Sequence, residues 1–366
     1  MPKHAFRAIL CILVLAGALP GCRRPTAGSA RQPAGALRVE RDPAHPGRFF
    51  ARIDTMGTEG TLMVLLPDGG ASEERAAGML EAAVAPVNRV MRTMNTYDPD
   101  SEVSRLNRLG AGEAVELSPD TMRVLKESVR FSRLSGGAFD VTYAPLRTLW
   151  RAAQRDDRLP TDEEIRKAQE AIGADKLELS DHAARFSRPA MEVDLGGIAK
   201  GYGIDLAAEA LLAAGCTSGL VEIGGDLRLI GHREGGEKWK VQTRDPRPGV
   251  HEPMYLRLAD AAVATSGDYA RYFTVQGRRL SHIVDPRTGR PVSDMPSVTV
   301  VAPDATTADA LATAISVLGP KEGVELIDRC PGVECMIMYR VPTEAGEEVR
   351  VVFSRGFREL MEGAAP

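Results

Sequence analysis

Aromatic residues are scarce in this chain: 5% of its 366 positions, with 2 Trp. That scarcity argues against the stacking platforms on which single-strand nucleic-acid binders hold bases. No excess of positive charge compensates, since the formal net charge is −4, and no basic footprint for nucleic acid is present. A local positive pocket for a small anion remains open. No apolar run is long enough to span a bilayer comfortably, and no internal repeat is visible. Cysteine is sparse as well. Of 5 Cys, Cys11 and Cys22 belong to the N-terminal stretch. Cys216, Cys330 and Cys335 are left, an odd number that argues against a complete disulfide framework. Cys330 and Cys335 could pair or stay as buried thiols. GxxxxGK[ST] does not occur, and no His stands in HExxH or in a Cys/His zinc set. A P-loop and zinc are thereby excluded. The lack of GxGxxG after a strand weighs against a flavin oxidoreductase.

What is present begins with a leader. Lys3 and Arg7 precede an uncharged apolar stretch from Ala8 to Leu19, ending in Leu19-Pro20-Gly21-Cys22. This reads as a bacterial lipoprotein signal over residues 1–21, with cleavage before Cys22 and lipid on its thiol. An ordinary secretory signal is the alternative. Residues 22–47, rich in Pro, Gly, Ala and Arg, read as a flexible tether. The globular part is expected over 48–361, with 43% hydrophobic and 26% charged residues in the chain as a whole, an ordinary globular composition. Strands are expected at Phe49–Ile53 and Thr61–Leu66 around a Met56-Gly57-Thr58 turn, and a helix from Ser72 to about Arg92. Further helices fit Ser118–Leu134, Thr161–Ala171, Ile198–Ala214 and Thr307–Leu318, the last stopped by Gly319-Pro320. Short strands fit Leu177–Leu179, Arg185–Ser187, Met191–Leu195, Leu220–Ile223, Trp239–Thr243, Tyr255–Leu258, Val263–Thr265, Val298–Val301, Cys335–Tyr339 and Val349–Phe353. Many strands are adjacent in sequence, so the expected class is α+β with largely antiparallel pairing.

Four polar–glycine clusters point to an enzyme. Ser281-His282-Ile283-Val284-Asp285-Pro286-Arg287-Thr288-Gly289 gathers an imidazole, a carboxylate, a guanidinium and hydroxyls at a Pro–Gly turn. Alone it could be a solvated hairpin turn. Asp194-Leu195-Gly196-Gly197 leads into a helix carrying Lys200, a junction whose N–H groups and dipole suit a phosphate. Gly201 and Gly203 within that helix each cost about 1 kcal/mol against Ala, so something must pack close. On the Thr307–Leu318 helix, Asp309 and Thr313 are neighbours one turn apart. Together they could hold a hard cation such as Mg²⁺. Equally, Asp309 could serve the first turn while Thr313 bonds back to a carbonyl. Gly136–Asp140 is either a helix stop or a backbone cradle, and Thr265–Tyr269 ends a strand with three oxygen-bearing side chains and a phenol.

Taken together these residues resemble the ApbE family of FAD:protein FMN transferases. The resemblance runs from Met56-Gly57-Thr58 through Thr96-Tyr97, Ser101–Asn107, Gly136–Asp140, Asp194–Gly201, Gly224-Gly225-Asp226, Thr265–Tyr269 and His282–Gly289 to Ala308–Thr313. It implies a T-fold-like α+β architecture with an FAD cleft between two subdomains. Met56, Tyr97, Ala138, Phe139, Asp140, Asp194, Lys200 and Ile283 would line the FAD site. Mg²⁺ would be held by Asp309, Thr313 and a main-chain oxygen near Gly197. Ala312 stands where some relatives carry a second acid, so one ligand must come from elsewhere or from water. His282 would take part in transfer, with Asp268 or Asp285 orienting or replacing it. Lys200 and Arg287 are possible phosphate clamps. The implied reaction moves FMN from FAD onto a Thr or Ser hydroxyl of a client flavoprotein, such as a subunit of a membrane respiratory complex, and releases AMP. The implied location is the periplasmic side of the cell membrane, with the anchor at Cys22. Two alternatives are a metal-dependent FAD pyrophosphatase giving FMN and AMP, and a non-catalytic FAD-binding lipoprotein.

Overall fold

The computed structural model describes residues 37–67, 72–243, 254–267, 272–344 and 346–363. Nine strands form one sheet: β1 (Val39–Arg41), β2 (Arg48–Thr55), β3 (Thr58–Leu65), β4 (Gly219–Ile223), β5 (Asp226–Ile230), β6 (Ala262–Ser266), β7 (Ser297–Ala302), β8 (Glu334–Thr343) and β9 (Gly346–Phe353). Their order across the sheet is their order along the chain, and each pairs antiparallel with the next. The fold is therefore α+β with antiparallel pairing, as the sequence pattern predicts.

The insertions into this meander build the site. Between β3 and β4 lie α1 (Glu73–Met94), α2 (Glu102–Leu109), α3 (Pro119–Leu134), α4 (Ala144–Arg155), α5 (Asp162–Glu170) and α6 (Ala199–Ala213). A hairpin (Trp239–Thr243 with Met254–Leu258) separates β5 from β6. A second hairpin (Tyr272–Val275 with Arg278–Ser281) leads from β6 to the His282 turn and β7. Helix α7 (Ala305–Ile327) joins β7 to β8.

Period-two alternation decides what each face of the sheet covers. In β8, Cys335 and Ile337 join a core containing Val87 and Val90 of α1, Ile204 and Ala208 of α6, and Leu311 and Ile315 of α7. Met336 and Met338 face the other way, onto Trp239, Val241, Leu256 and Leu258 of the first hairpin. A third cluster joins Leu146 and Trp150 of α4 and Ile165 of α5 to Phe273, Val275 and Val284. That cluster fixes the His282 turn against the helical insertion.

Side-chain caps open the helices at three of the expected starts. Ser72, Ser118 and Thr161 each accept a backbone N–H two or three residues into the helix, and Thr161 with Glu164 forms a reciprocal capping box. Pro86 lies inside α1 without ending it. Helix α7 breaks at Gly319 (φ 79°), the expected stop, and a helical run resumes to Ile327.

Several expectations need correction. Met191–Leu195 is not a ladder strand. It makes one bridge, Glu192 with Tyr143, and its backbone is satisfied otherwise. The Asn107 amide donates to Val193 O (3.0 Å) and accepts from Val193 N (2.8 Å), while Asp194 N donates to Val141 O. A side-chain amide thus does the work of a neighbouring strand. The packed chain also starts before Arg48. β1 pairs with β2 inside the stretch read as tether, and Leu37 and Val39 rest on the main core. Helices α2 and α4 carry no expectation above; each is short and buries only a few apolar side chains. Cys216, Cys330 and Cys335 are free thiols, and burial pushes Cys335 up to about 12.

Candidate functional site

The junction between α6 and α7 is the polar centre of the fold. Helix α6 begins at Ala199 with no side-chain cap of its own at Ile198. Asp309, one turn into α7 and buried, supplies the missing acceptor: its Oδ2 receives the Gly201 N–H at 3.0 Å. A carboxylate at the positive end of a helix is favoured there. This approach requires glycine. A Cβ at Gly201 would stand 2.2 Å from Ala305 O and 2.9 Å from Asp309 Cβ. Gly203 is different, because its nearest obstacle is the flexible Met56 Cε at 2.8 Å. Gly201→Ala is expected to cost about 1–3 kcal/mol, because backbone must move. Gly203→Ala is expected to be near neutral, since the helix-propensity gain of about 1 kcal/mol offsets a shifted methyl. Thermal unfolding of both variants checks this; equal losses would show that the α6–α7 contact does not set the requirement.

Lys200 holds the charge of this centre. Its ammonium pairs with Asp226 at the start of β5 and lies 3.8 Å from Asp309 Oδ1. Asp226 is buried, and its other oxygen accepts the Thr265 N–H of β6 at 3.0 Å. Glu222 lies near as well. Burial pushes its carboxyl up, against the Gly225 N–H and the charge of Lys200. Asp226 is the residue that motif reading leaves without a role. Its only signal is a place in Gly224-Gly225-Asp226, a tight turn with φ 59° and 98° at the two glycines.

Thr313 lies one turn beyond Asp309. A Cβ on Gly197 would be 3.2 Å from Thr313 Oγ1 and 3.3 Å from Phe139 Cε2. Gly197, Thr313 and Phe139 therefore meet at one spot, with Asp309 one turn away on α7. Ala312 is buried in the main core. Among the described residues no three His, Cys, Asp or Glu side chains are grouped to hold a metal. A cation here would rest on one carboxylate, a hydroxyl, main-chain oxygen and the ligand's own oxygens. That all-oxygen set fits a hard cation such as Mg²⁺, which keeps waters or substrate phosphates.

Asp194 sits at the N-terminal side of the same junction. Its Oδ1 accepts the Gly196 N–H at 2.7 Å, and Arg147 of α4 pairs with its other oxygen. Arg147 also donates to Thr96 Oγ1 at 3.3 Å. Next to it Tyr97 is 68% exposed, an unusual position for a large aromatic. Arg151 donates to its hydroxyl, and the two guanidinium carbons lie 5.2 and 5.9 Å from the ring centroid. Partial burial would raise the phenol, but Arg151 and Arg147 outweigh it and hold the phenol below its ordinary range. Met56, in the left-handed region at φ 49°, reaches across to Gly203.

Gly136–Asp140 links this centre to the His282 turn. Gly137 lies against the Arg287 side chain and Phe139 against Gly197. Ala138 and Phe139 are buried. Asp140 looks inward: it accepts from Thr142 N and Oγ1, Ala174 N and Ser132 Oγ. Burial nevertheless pushes its carboxyl up. Its described contacts all brace the loop.

The turn itself is firmly built. Ile283 N donates to Ser281 Oγ (3.1 Å), Val292 N to Ile283 O, and Trp150 Nε1 to Gly289 O (2.9 Å). Both Asp285 oxygens are taken by Arg287, which holds that acid as a turn brace. Side-chain bonding to Asp285 is also what raises the Arg287 guanidinium, so Arg287 is tied to its own turn. His282 is half-buried at the head of this turn. Cys22 and Asp268 lie outside the described residues.

Residues 56–337 match the model of the ApbE family. The chain is 37% identical over 280 residues to an FAD:protein FMN transferase of Vibrio cholerae serotype O1, spanning 75% of this chain and 82% of that protein. It is 35% identical over 288 residues to the FAD:protein FMN transferase of Haemophilus influenzae, again 75% and 82%. Among solved structures, the flavin transferase ApbE from Vibrio cholerae superposes with TM-score 0.73 at 31% identity, covering 86% of this chain and 99% of that one. The apo form of the Pseudomonas stutzeri flavinyl transferase ApbE superposes with TM-score 0.73 at 29% identity, covering 90% and 98%.

Proposed function

The chain belongs to the ApbE family and is a transferase, and from that premise we propose that it moves FMN from FAD onto a Thr or Ser hydroxyl of a client flavoprotein, releasing AMP. The observation that carries the reading is the cluster at the start of α6. Lys200, Asp226 and Asp309 meet there beside the Gly196-Gly197 turn and Thr313.

Each residue has a role its surroundings support. The α6 N-terminus and Lys200 favour the diphosphate of FAD by dipole and charge. Exposed Tyr97 offers a face for the planar flavin, and Arg147 fixes Asp194 beside it. Asp309, Thr313 and the Gly197 main-chain oxygen would hold Mg²⁺. When bound, Mg²⁺ supplies Lewis acidity and orients the two phosphates. His282 accepts the proton of the client hydroxyl, a task suited to the one side chain that ordinarily titrates near neutral pH. The hydroxyl oxygen then bonds to the FMN phosphorus, and the bond to the AMP phosphate oxygen breaks.

The test is intact mass spectrometry of a client flavoprotein incubated with FAD, Mg²⁺ and soluble enzyme beginning at Leu37. A mass increase of one FMN is expected. AMP released without a shift points to a pyrophosphatase, and intact FAD to a binding protein. Export and anchoring through Cys22 at the periplasmic face belong to the same proposal. Labelled palmitate is expected to enter the wild-type chain and not a Cys22→Ser variant; equal labelling of the two rejects the anchor.

A further inference from the structure

Helices α6 and α7 cap each other. Asp309 of α7 accepts the Gly201 N–H near the start of α6. One turn along α6, buried Asp205 does the reverse at the start of α7. Its Oδ1 accepts Ala305 N (2.8 Å), and its Oδ2 accepts Thr306 N (2.8 Å) and Thr306 Oγ1 (2.5 Å). Two contacts, 201 with 309 and 205 with 305–306, thus lock the helices in opposite directions. Asp205 also receives Arg228 of β5 at 2.9 Å, two residues along that strand from Asp226, the partner of Lys200. The same helix and strand are thereby joined by two ion pairs of opposite sense, Lys200 to Asp226 and Asp205 to Arg228.

Asp205 is not needed merely to cap α7. That helix has its own N-cap, Asp304, whose carboxylate accepts Thr307 N (2.7 Å) and Thr307 Oγ1 (3.0 Å). A second carboxylate, buried and bonded four times, is costly unless it fixes something. What it fixes is the height of α7 on α6, hence where Asp309 and Thr313 lie relative to Gly197. We propose that Asp205 is the positioning residue of the Asp309–Thr313 cation site, setting its geometry without touching the cation. This rests on the transferase reading above.

The experiment compares full-length wild type with Asp205→Asn, Asp304→Ala and Thr306→Val. Mn²⁺ affinity in the presence of FAD is read by electron paramagnetic resonance, and the Mg²⁺ dependence of transfer by mass spectrometry. Asp205→Asn is expected to weaken Mn²⁺ binding about tenfold or more, in the range found when groups behind metal ligands are changed. The Mg²⁺ needed for half-maximal transfer should rise in parallel, while the rate at saturating Mg²⁺ stays within about twofold. Thr306→Val, which removes one donor to Asp205 and keeps the shape, should move both in the same direction by about threefold. Asp304→Ala should lower the melting temperature and leave Mn²⁺ affinity unchanged. The proposal is overturned if Asp205→Asn binds Mn²⁺ as wild type does, or if Asp304→Ala weakens binding equally. Should Asp205→Asn fail to fold, unchanged Mn²⁺ binding by Thr306→Val overturns it. Wild type that binds no Mn²⁺ with FAD present would instead remove the metal from the proposed function.

Discussion

Asp309→Ala is expected to lower FMN transfer by at least about 10²-fold, the order lost when one charge-stabilising group is taken from a reacting centre. Two losses coincide at this residue. The cation site loses its only described carboxylate on α7. The α6 N-terminus loses the acceptor for the Gly201 N–H, which costs about 1 kcal/mol by analogy with removing a cap. The fold should survive, because the substitution strands no charge. Lys200 keeps Asp226 as partner, and Asp205 still joins the two helices. Intact mass spectrometry of the client gives the rate, Mn²⁺ titration the site, and circular dichroism the fold. Transfer within about tenfold of wild type, with unchanged Mn²⁺ affinity, would take Asp309 out of the mechanism.

His282→Ala is expected to lower transfer by about 10² to 10⁴-fold, the usual contribution of a general base. FAD affinity should hardly change. The reason lies in how the turn is built. Ser281 Oγ, the Ile283–Val292 bond and the Trp150–Gly289 bond hold the backbone on either side of His282. The turn should therefore keep its shape in the variant. Asp285 is a poor substitute base, since Arg287 occupies both of its oxygens. Single-turnover mass spectrometry of the client, with FAD binding followed by fluorescence, separates chemistry from binding. Wild-type transfer in the variant would remove His282 from the reaction. A parallel loss of FAD affinity would make it a binding residue.

Local signals were legible along the chain wherever one residue type decides the outcome. Ser72, Ser118 and Thr161 announce helix starts because their side chains satisfy orphan N–H groups on the spot. Gly319 announces a stop because few residues other than glycine adopt φ 79° there. Asp309 and Thr313 read as neighbours because helical periodicity alone puts them on one face. Met191–Leu195 misled because alternation predicts extended backbone and not what completes its hydrogen bonds. Asn107, 86 residues away, supplies them. Asp140 and Asp285 read as site acids, yet the described partners of Asp285 lie in its own turn and those of Asp140 include Ser132 and the distant Ala174 N–H as well as Thr142. The residue type is the same for a ligand and a brace, and only the partners tell them apart.

The sequence by itself determined the α+β class, most element positions, the family resemblance and the motifs that carry the candidate chemistry. Class and element positions depend on caps and periodicity within some twenty residues, whereas the resemblance rests on motifs spread from Met56 to Thr313. Tertiary structure alone decided that nine strands lie across the sheet in chain order, and that Asp226 comes to Lys200 from β5. It also decided that α6 and α7 exchange caps through Asp205 and Asp309. The reason is physical. Residues 205 and 305 are a hundred positions apart, and no local preference encodes their meeting. Burying Ile204 and Ala208 against the sheet beside Leu311 and Ile315 brings the two helix starts together. Once there, their unsatisfied N–H groups need carboxylates, and each helix supplies one to the other.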